Sequence, residues 1–177
     1  VAAVARNEEA SRLARAAGLS QLEFSALHNG GYMEFLRGNL TRALTLMDAA
    51  DAMDVDIDRS VARLDHARVL MDAGLLDEAR VLLSTAAELA AANGSDHDVA
   101  ECELETARCE LLRAHPQQSL AWARRARHRF VARRESGWRL RATLAELDAL
   151  AALPGRHASR ARLATALYSA CLAAGDT

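Results

Sequence analysis

The chain has 177 residues, of which 51% are hydrophobic and only 4% aromatic, and it carries a formal net charge of -2 at pH 7. Alanine and leucine favour helices, whereas the β-branched and aromatic residues typical of strands are scarce, so the composition excludes a strand-rich fold. The near-neutral charge gives no general attraction to nucleic acid or membranes, and no apolar run approaches the ~20 residues that span a bilayer.

Apolar residues recur at helical spacing along most of the chain. One stripe, formed by Leu27, Gly31 and Phe35, ends just before Gly38. Glycine suits the positive φ with which many helices end, and Pro116 suits the first turn of a helix, where its missing N–H costs little. The pattern predicts nine helices, at 3–17, 20–37, 40–53, 59–73, 76–92, 97–114, 116–134, 137–152 and 157–174.

The helical pattern repeats. Ala43 follows Gly38 at the same distance as Ala79 follows Gly74, and Ala114 begins a third copy. Gly38 and Gly74 are 36 residues apart, and Gly74 and Ala114 are 40 apart, a little above the roughly 34 residues of a tetratricopeptide repeat. The predicted fold is therefore all-α, a right-handed α-α superhelix of tetratricopeptide-type helix pairs. We expect one domain over 1–177 with about four pairs, of which the terminal ones are degenerate because end repeats face water.

Small residues recur within these copies. They let helix backbones approach closely, so we expect them at the helix crossings. The residues concerned are Gly31, Ala43, Ala50, Ala67, Ala79, Ala86, Ala107 and Ala126.

The segments His28–Tyr32 and Phe35–Leu40, followed by Ala43 and Leu44, resemble a tetratricopeptide repeat, and more narrowly the repeats of actinobacterial CHAT-domain proteins. The segments Leu64–Leu75 and Ala121–Trp138 resemble later repeats of that family, so the resemblance covers about residues 20–150. It departs at Gly30, where the family usually has leucine, and this departure predicts weaker packing in the first repeat. In the family such repeats precede a caspase-like peptidase domain. No segment of the chain resembles that domain, so the resemblance implies a non-catalytic repeat region and places any peptidase domain outside this chain.

Three aspartates, Asp54, Asp56 and Asp58, have the spacing of a calcium-binding loop. Arg59 stands where such a loop needs glycine for its sharp turn, and Asp65 is shorter than the glutamate that binds calcium with both oxygens. These departures favour an ordinary connection between repeats, in which Asp58 caps the helix that follows.

Other candidates for chemistry are sparse. Cys102, Cys109 and Cys171 lack zinc-site spacing, and such a small, odd number of cysteines suits a reducing cytosol, so we expect a cytoplasmic protein. His97 lies between two aspartates but has no second histidine at ligand spacing. The sequence contains no nucleophile, phosphate-loop or dinucleotide motif. We therefore expect no enzyme activity, no cofactor and no metal.

Basic residues concentrate near the end of the chain, where the stretch 113–162 contains twelve arginines and three acids. Such a cluster could contact phosphates or an acidic partner. Its members spread around the predicted helix, however, which favours an ordinary solvated surface. The cluster consists of Arg124, Arg125, Arg127, Arg129, Arg133 and Arg134.

The resemblance implies that the first helix of each pair lines a concave groove that binds protein or peptide. Aligning the repeats gives two sets of equivalent positions, three residues apart, which are either groove residues or ordinary surface residues. We predict a protein- or peptide-binding scaffold whose partner is another protein or an adjoining domain of the same polypeptide, not membrane or nucleic acid. The alternative is a regulatory sensor module of a transcription factor or signalling protein. The candidate groove residues are Asn29, Tyr32, Asp65, Arg68, Glu105 and Arg108.

Overall fold

The computed structural model describes the backbone of residues 2–175 and the side chains of residues 6–172. Within that range the chain forms nine helices and no strand, and every helix end lies within two residues of its predicted position. None of the described helices is both long and apolar enough to cross a membrane. The predicted all-α fold is confirmed. The helices are α1 (Ala2–Ala16), α2 (Ser20–Leu36), α3 (Leu40–Asp51), α4 (Ser60–Asp72), α5 (Leu76–Ala92), α6 (Asp96–Leu112), α7 (Pro116–Ala132), α8 (Ser136–Ala151) and α9 (His157–Gly175).

Six of the connections between helices use the same tight turn. One residue adopts a positive φ, and the N–H of the next residue donates to the carbonyl five positions before it. After α2, for example, the Asn39 N–H donates to the Glu34 carbonyl at 2.9 Å. After α6, the His115 N–H donates to the Glu110 carbonyl at 2.8 Å. The positive-φ residues are Gly18, Gly38, Gly74, Gly94, Ala114 and Arg134.

Contacts within the chain define two compact units, residues 1–82 and 83–177. In the first unit α2 packs against α1 and α3, and α4 packs beside both α2 and α3. The core of this unit contains two groups of buried side chains: Phe24, Leu27, Ala50 and Ala62, and Ala43, Met47 and Val69.

In the second unit α7 lies between α6 and α8, and α6 also touches α8. Phe130 is fully buried and stacks on Trp138 with 5.5 Å between the ring centroids. Leu120 and Leu150 form a smaller cluster that Leu163 of α9 joins. The remaining buried members of the two clusters are Ala100, Leu104, Ala126, Ala142 and Ala149.

The small residues singled out in the sequence are all buried. The seven alanines have at most 2% of their surface exposed, and Gly31 is buried as well. A Cβ atom on Gly31 would lie 2.6 Å from Cγ of Met47 and 3.1 Å from the carbonyl oxygen of Ala43. Helices α2 and α3 therefore approach too closely at Gly31 for any side chain to fit without displacing α3.

We expect Gly31→Ala to lower the free energy of unfolding by about 1–3 kcal/mol, because overpacking outweighs the helix propensity gained. Urea denaturation measures this change. Gly137→Ala is the matched control, since Gly137 also lies in a helix but has no neighbouring heavy atom within 4 Å of the added Cβ. That variant should be neutral or slightly stabilised, and an equal effect of both substitutions would contradict the close approach.

We expect Ala114→Gly and Arg134→Gly each to raise the free energy of unfolding by about 0.5–1 kcal/mol. At φ values of 61° and 59° an L-residue is strained, and the relief exceeds the entropy that glycine adds to the unfolded chain. Gly74→Ala, at φ 79° in the same turn, should lower stability instead. Thermal unfolding of the three variants would refute this assignment if all of them shifted in the same direction.

Candidate functional site

The six candidate groove residues lie on the first helices of three successive pairs. Asn29 and Tyr32 are on α2, Asp65 and Arg68 on α4, and Glu105 and Arg108 on α6. In the first unit α2 and α4 lie side by side. His28 Nε2 of α2 is 3.4 Å from Asp65 Oδ2 of α4. Asp65 of α4 therefore lies close to His28, the residue that precedes its equivalent Asn29 on α2.

An acid–arginine pair occurs at the equivalent positions of α4 and α6. Arg68 Nη1 donates to Asp65 Oδ1 at 2.9 Å, and Arg108 Nη1 lies 3.9 Å from Glu105 Oε2. In both pairs the acid is mostly buried, and Arg108 is 48% exposed. The Arg68 guanidinium is thus hydrogen-bonded to Asp65 and mostly buried, whereas that of Arg108 lies at ion-pair distance from Glu105 and is about half exposed.

The candidate pair on α2 has a different character. Asn29 is exposed, whereas the Tyr32 ring packs against the core formed by Ala43 and Met47 and lies 6.0 Å from the Phe35 ring. Tyr32 therefore contributes to the packing of α2 on α3.

A groove of about 180 Å³ lies between α6 and α8. Its walls are mainly apolar, and Ser119 of α7 lines it too. Its charged residues are balanced in sign, with Glu105 and Arg108 from α6 and Arg141 and Asp148 from α8. Two of the candidate residues therefore border a cavity that could hold a side chain.

A second groove, of about 380 Å³, lies among α1, α2 and α3 and includes Gly30. Asn7 of α1 occupies part of the space above this glycine, where its amide Nδ2 donates to the Ala26 carbonyl at 2.6 Å. A Cβ on Gly30 would lie 2.7 Å from the same nitrogen. Because Gly30 has no side chain, Asn7 fits above it and an open cavity remains beside Asn7. The sequence alone did not predict the contact between Asn7 and α2.

The arginine cluster of α7 binds carboxylates within its own unit. Arg125 Nη2 and Arg129 Nε donate to the carboxylate of Glu103 on α6 at 2.8 and 3.1 Å. On the other side, Arg124 Nε donates to Glu146 of α8 at 3.4 Å, and Arg127 also donates to Glu146.

Both glutamates are 3% exposed, and a buried carboxylate needs such partners. The arginines therefore join α6, α7 and α8 instead of lining one free basic face.

Two further buried carboxylates stabilise the turns after α2 and α6. Glu34 accepts hydrogen bonds from Arg37 Nη1 at 3.0 Å and from Asn39 Nδ2 at 3.1 Å. Glu110 accepts from Arg113 Nη1 at 3.2 Å and pairs with His115. The shared spacing, a glutamate followed by arginine three residues later at the end of a helix, is a sequence signal that could have identified these residues.

The acidic connection between α3 and α4 is extended. Asp54, Asp56 and Asp58 are exposed, while the alternate apolar residues pack against the core around Phe24. Arg59 fills the inner side of this segment. Its guanidinium donates to the carbonyls of Asp51 (3.2 Å), Met53 and Val55 (3.3 Å), and it lies over the Phe24 ring.

The N-cap residue of α4 is Arg59, one position after the predicted Asp58, but the Ser60 N–H still donates to Asp58 Oδ1 at 2.8 Å. The carbonyl oxygens of Asp51, Met53 and Val55 in this segment are bound by the Arg59 guanidinium.

His97 belongs to a polar cluster at the start of α6. Its Nδ1 lies 2.8 Å from Glu135 Oε2, and its ring meets the Trp138 ring edge-on at 5.3 Å. Glu135 also accepts from Arg133 at 2.7 Å. Loss of hydration raises the pKa of the Glu135 carboxyl, but the hydrogen bonds from Arg133 and His97 outweigh this effect and leave its pKa below the ordinary value.

Potential metal ligands also occur in this cluster. Among the described side chains, one group of this kind brings ligand atoms within 4.8 Å of one another, and it consists of His97, Asp98 and Glu101. Asp98 accepts a hydrogen bond from Ser95 at 2.6 Å. These contacts also have a structural role. Asp98 and Ser95 cap the start of α6, and His97 joins α6 to Glu135 in the turn before α8.

No protein-family model and no curated protein sequence matches the chain. Among solved structures, the chain is similar to the nearly identical TPR-like repeats of a putative kinesin light chain from Podosopora anserina. The TM-score is 0.70 at 14% identity, with 98% of this chain and 97% of that chain covered. A point variant of that protein gives 0.73 at 15% identity with the same coverage.

BtubC (BKLC) from P. vanneervenii gives a TM-score of 0.60 at 19% identity, covering 99% of this chain and 83% of that chain. At these identities the comparisons bear on the fold alone. They confirm the predicted fold class, an all-α arrangement of tetratricopeptide-type helix pairs.

Proposed function

We propose that the chain acts as one repeat domain, a non-catalytic scaffold that binds a protein or peptide partner through the first helices of its pairs. The observation that carries this proposal is the acid–arginine pair found at equivalent positions, Asp65 with Arg68 and Glu105 with Arg108. Helical-repeat proteins use such surfaces for binding. An arginine fork held by a neighbouring acid suits a carboxylate or a peptide carbonyl of a partner.

We further propose that the scaffold is the repeat region of a larger, CHAT-type protein and works in the cytoplasm. The resemblance of the segments around Tyr32 and Leu70 to that family supports the first part. The cysteines support the second, because Cys102, Cys109 and Cys171 make no disulfide and reduced thiols suit a reducing compartment. The partner is then an adjoining domain of the same polypeptide or a separate protein with an extended, partly acidic segment.

The charges give this proposal a measurable consequence. We expect the Arg68→Ala/Arg108→Ala double variant to bind an acidic peptide about 2- to 30-fold more weakly, because each partly exposed charge contact contributes about 0.2–1 kcal/mol. Salt should weaken binding less in this variant than in the wild type. The probe is a fluorescein-labelled peptide selected from a random display library on the wild-type chain, measured by fluorescence anisotropy.

The matched control is Arg12→Ala/Arg162→Ala, which removes the same charge from exposed positions outside the candidate groove. Circular dichroism verifies that both variants remain folded. Unchanged affinity in the groove variant would argue against binding at these helices. An equal loss in the control would show that only net charge matters.

A further inference from the structure

The groove among α1, α2 and α3 combines an apolar lining with a volume suited to a small molecule. Its apolar residues are Ala26, Leu27 and Gly30 of α2 and Leu46 of α3. The volume of about 380 Å³ lies within the range of small-molecule sites, about 300–1,000 Å³. The groove can therefore hold the apolar body of a ligand.

The space in this groove exists because residue 30 is a glycine. A Cβ atom on Gly30 would lie 2.7 Å from Nδ2 of Asn7 and 3.5 Å from Cδ1 of Leu46. A larger side chain at this position would extend into the groove and fill it. The nearest atom is the end of the Asn7 side chain, which can rotate away, so such a substitution can close the site while the helices stay in place.

The charged residues of the groove are unbalanced. Arg12 and Arg15 of α1 and Arg42 of α3 line it, and they face one acid, Glu8 of α1. The surface that a ligand meets is therefore mainly cationic, and its potential favours an anion.

The carboxylate partners of these arginines leave N–H donors for a ligand. Arg15 donates through Nε to Glu23 Oε1 at 2.6 Å, and Arg42 donates through Nη2 to Glu8 Oε1 at 3.3 Å. A guanidinium carries several N–H donors in a planar fork. The Nη groups of Arg15 and the remaining nitrogens of Arg42 can thus bind a second acceptor that enters the groove.

We propose that this groove binds a small organic anion, an aliphatic chain that ends in a carboxylate or a phosphate. The anionic end is bound by the arginines of the walls, because a guanidinium fork matches the oxygens of either group. The aliphatic chain lies over Gly30 and Leu46, where it leaves water. This activity goes beyond the proposed function, since the site belongs to the first unit and contains no candidate groove residue.

Other classes of small molecule fit this groove less well. An alkylammonium ion would meet charges of its own sign. An aliphatic alcohol would make the same apolar contacts without binding the guanidinium groups as an anion does. Acetate and inorganic phosphate have the charge but lack the chain that buries apolar surface.

The test titrates the full ¹⁵N-labelled chain with octanoate, octyl phosphate, octanol, octylamine and acetate. We expect octanoate or octyl phosphate to shift the backbone amide resonances of Gly30 and Leu46 saturably. The anion should bind about 2- to 30-fold more tightly than octanol, the range for two partly exposed charge contacts, and octylamine should bind no better than octanol. Acetate should bind more weakly than octanoate by about 4-fold for each methylene that is buried. The comparison of octanoate with octyl phosphate identifies the anionic group that the site prefers.

Two variants separate the apolar contribution from the charged one. Gly30→Leu should abolish the saturable shifts, because its side chain fills the groove. In Arg15→Ala/Arg42→Ala the preference for the anion over octanol should fall to about one. The matched control is Arg156→Ala/Arg162→Ala, which removes the same charge from exposed positions of the second unit and should leave the preference unchanged. Circular dichroism verifies folding, and the arginine variant decides the matter if Gly30→Leu does not fold.

Three results would overturn the inference: no saturable shift with either anion, equal binding of octanol and both anions, or anion binding that survives Gly30→Leu in a folded chain. An equal loss in the control pair would also overturn it, because net charge alone would then explain the preference. The display-selected peptide should bind Gly30→Leu as tightly as the wild type, so failure at this groove leaves the proposed function standing.

Discussion

The hydrogen bond that closes six of the turns between helices is the constraint on which the rest of the structure depends. It joins the N–H after a positive-φ residue to the carbonyl five positions earlier, as between Asn39 and Glu34. The bond ends one helix and leaves three residues between that helix and the next, so helices joined in this way pack together, as α2 does with α3 and α7 with α8. That proximity explains why small residues such as Gly31 and Ala43 lie at the crossings, where larger side chains would force the backbones apart.

The close packing of the helices also buries polar groups that must find partners. Four glutamates are buried, and each binds at least one arginine: Glu34, Glu103, Glu110 and Glu146. All 22 basic residues of the chain are arginine. The planar guanidinium offers several donors in a fixed geometry and can reach a buried carboxylate while its end stays in contact with water. Much of the basic character of α7 therefore serves cohesion between helices.

The candidate groove residues include two acid–arginine pairs that do not involve these four buried glutamates. Asp65 with Arg68 and Glu105 with Arg108 recur on the first helices of their pairs, and the second of them borders the groove that Ser119 lines. In the proposed function, the Arg108 guanidinium beside this apolar cavity binds a backbone carbonyl of the partner.

The amino-acid sequence by itself determined the helices, their ends and the small residues at their crossings, because these depend on interactions within about five residues and on a period that any helix shares. The local hydrogen bond from the Ser60 N–H to Asp58 was also within reach of the sequence, since it joins residues two positions apart. Only the tertiary structure decided that Arg125 meets Glu103, that Asn7 lies above Gly30, and that the Ser119 hydroxyl has no partner. Those contacts depend on how each helix is rotated against its neighbour. Side chains as long as arginine reach several positions from one place on a helix, so spacing along the chain does not select among them.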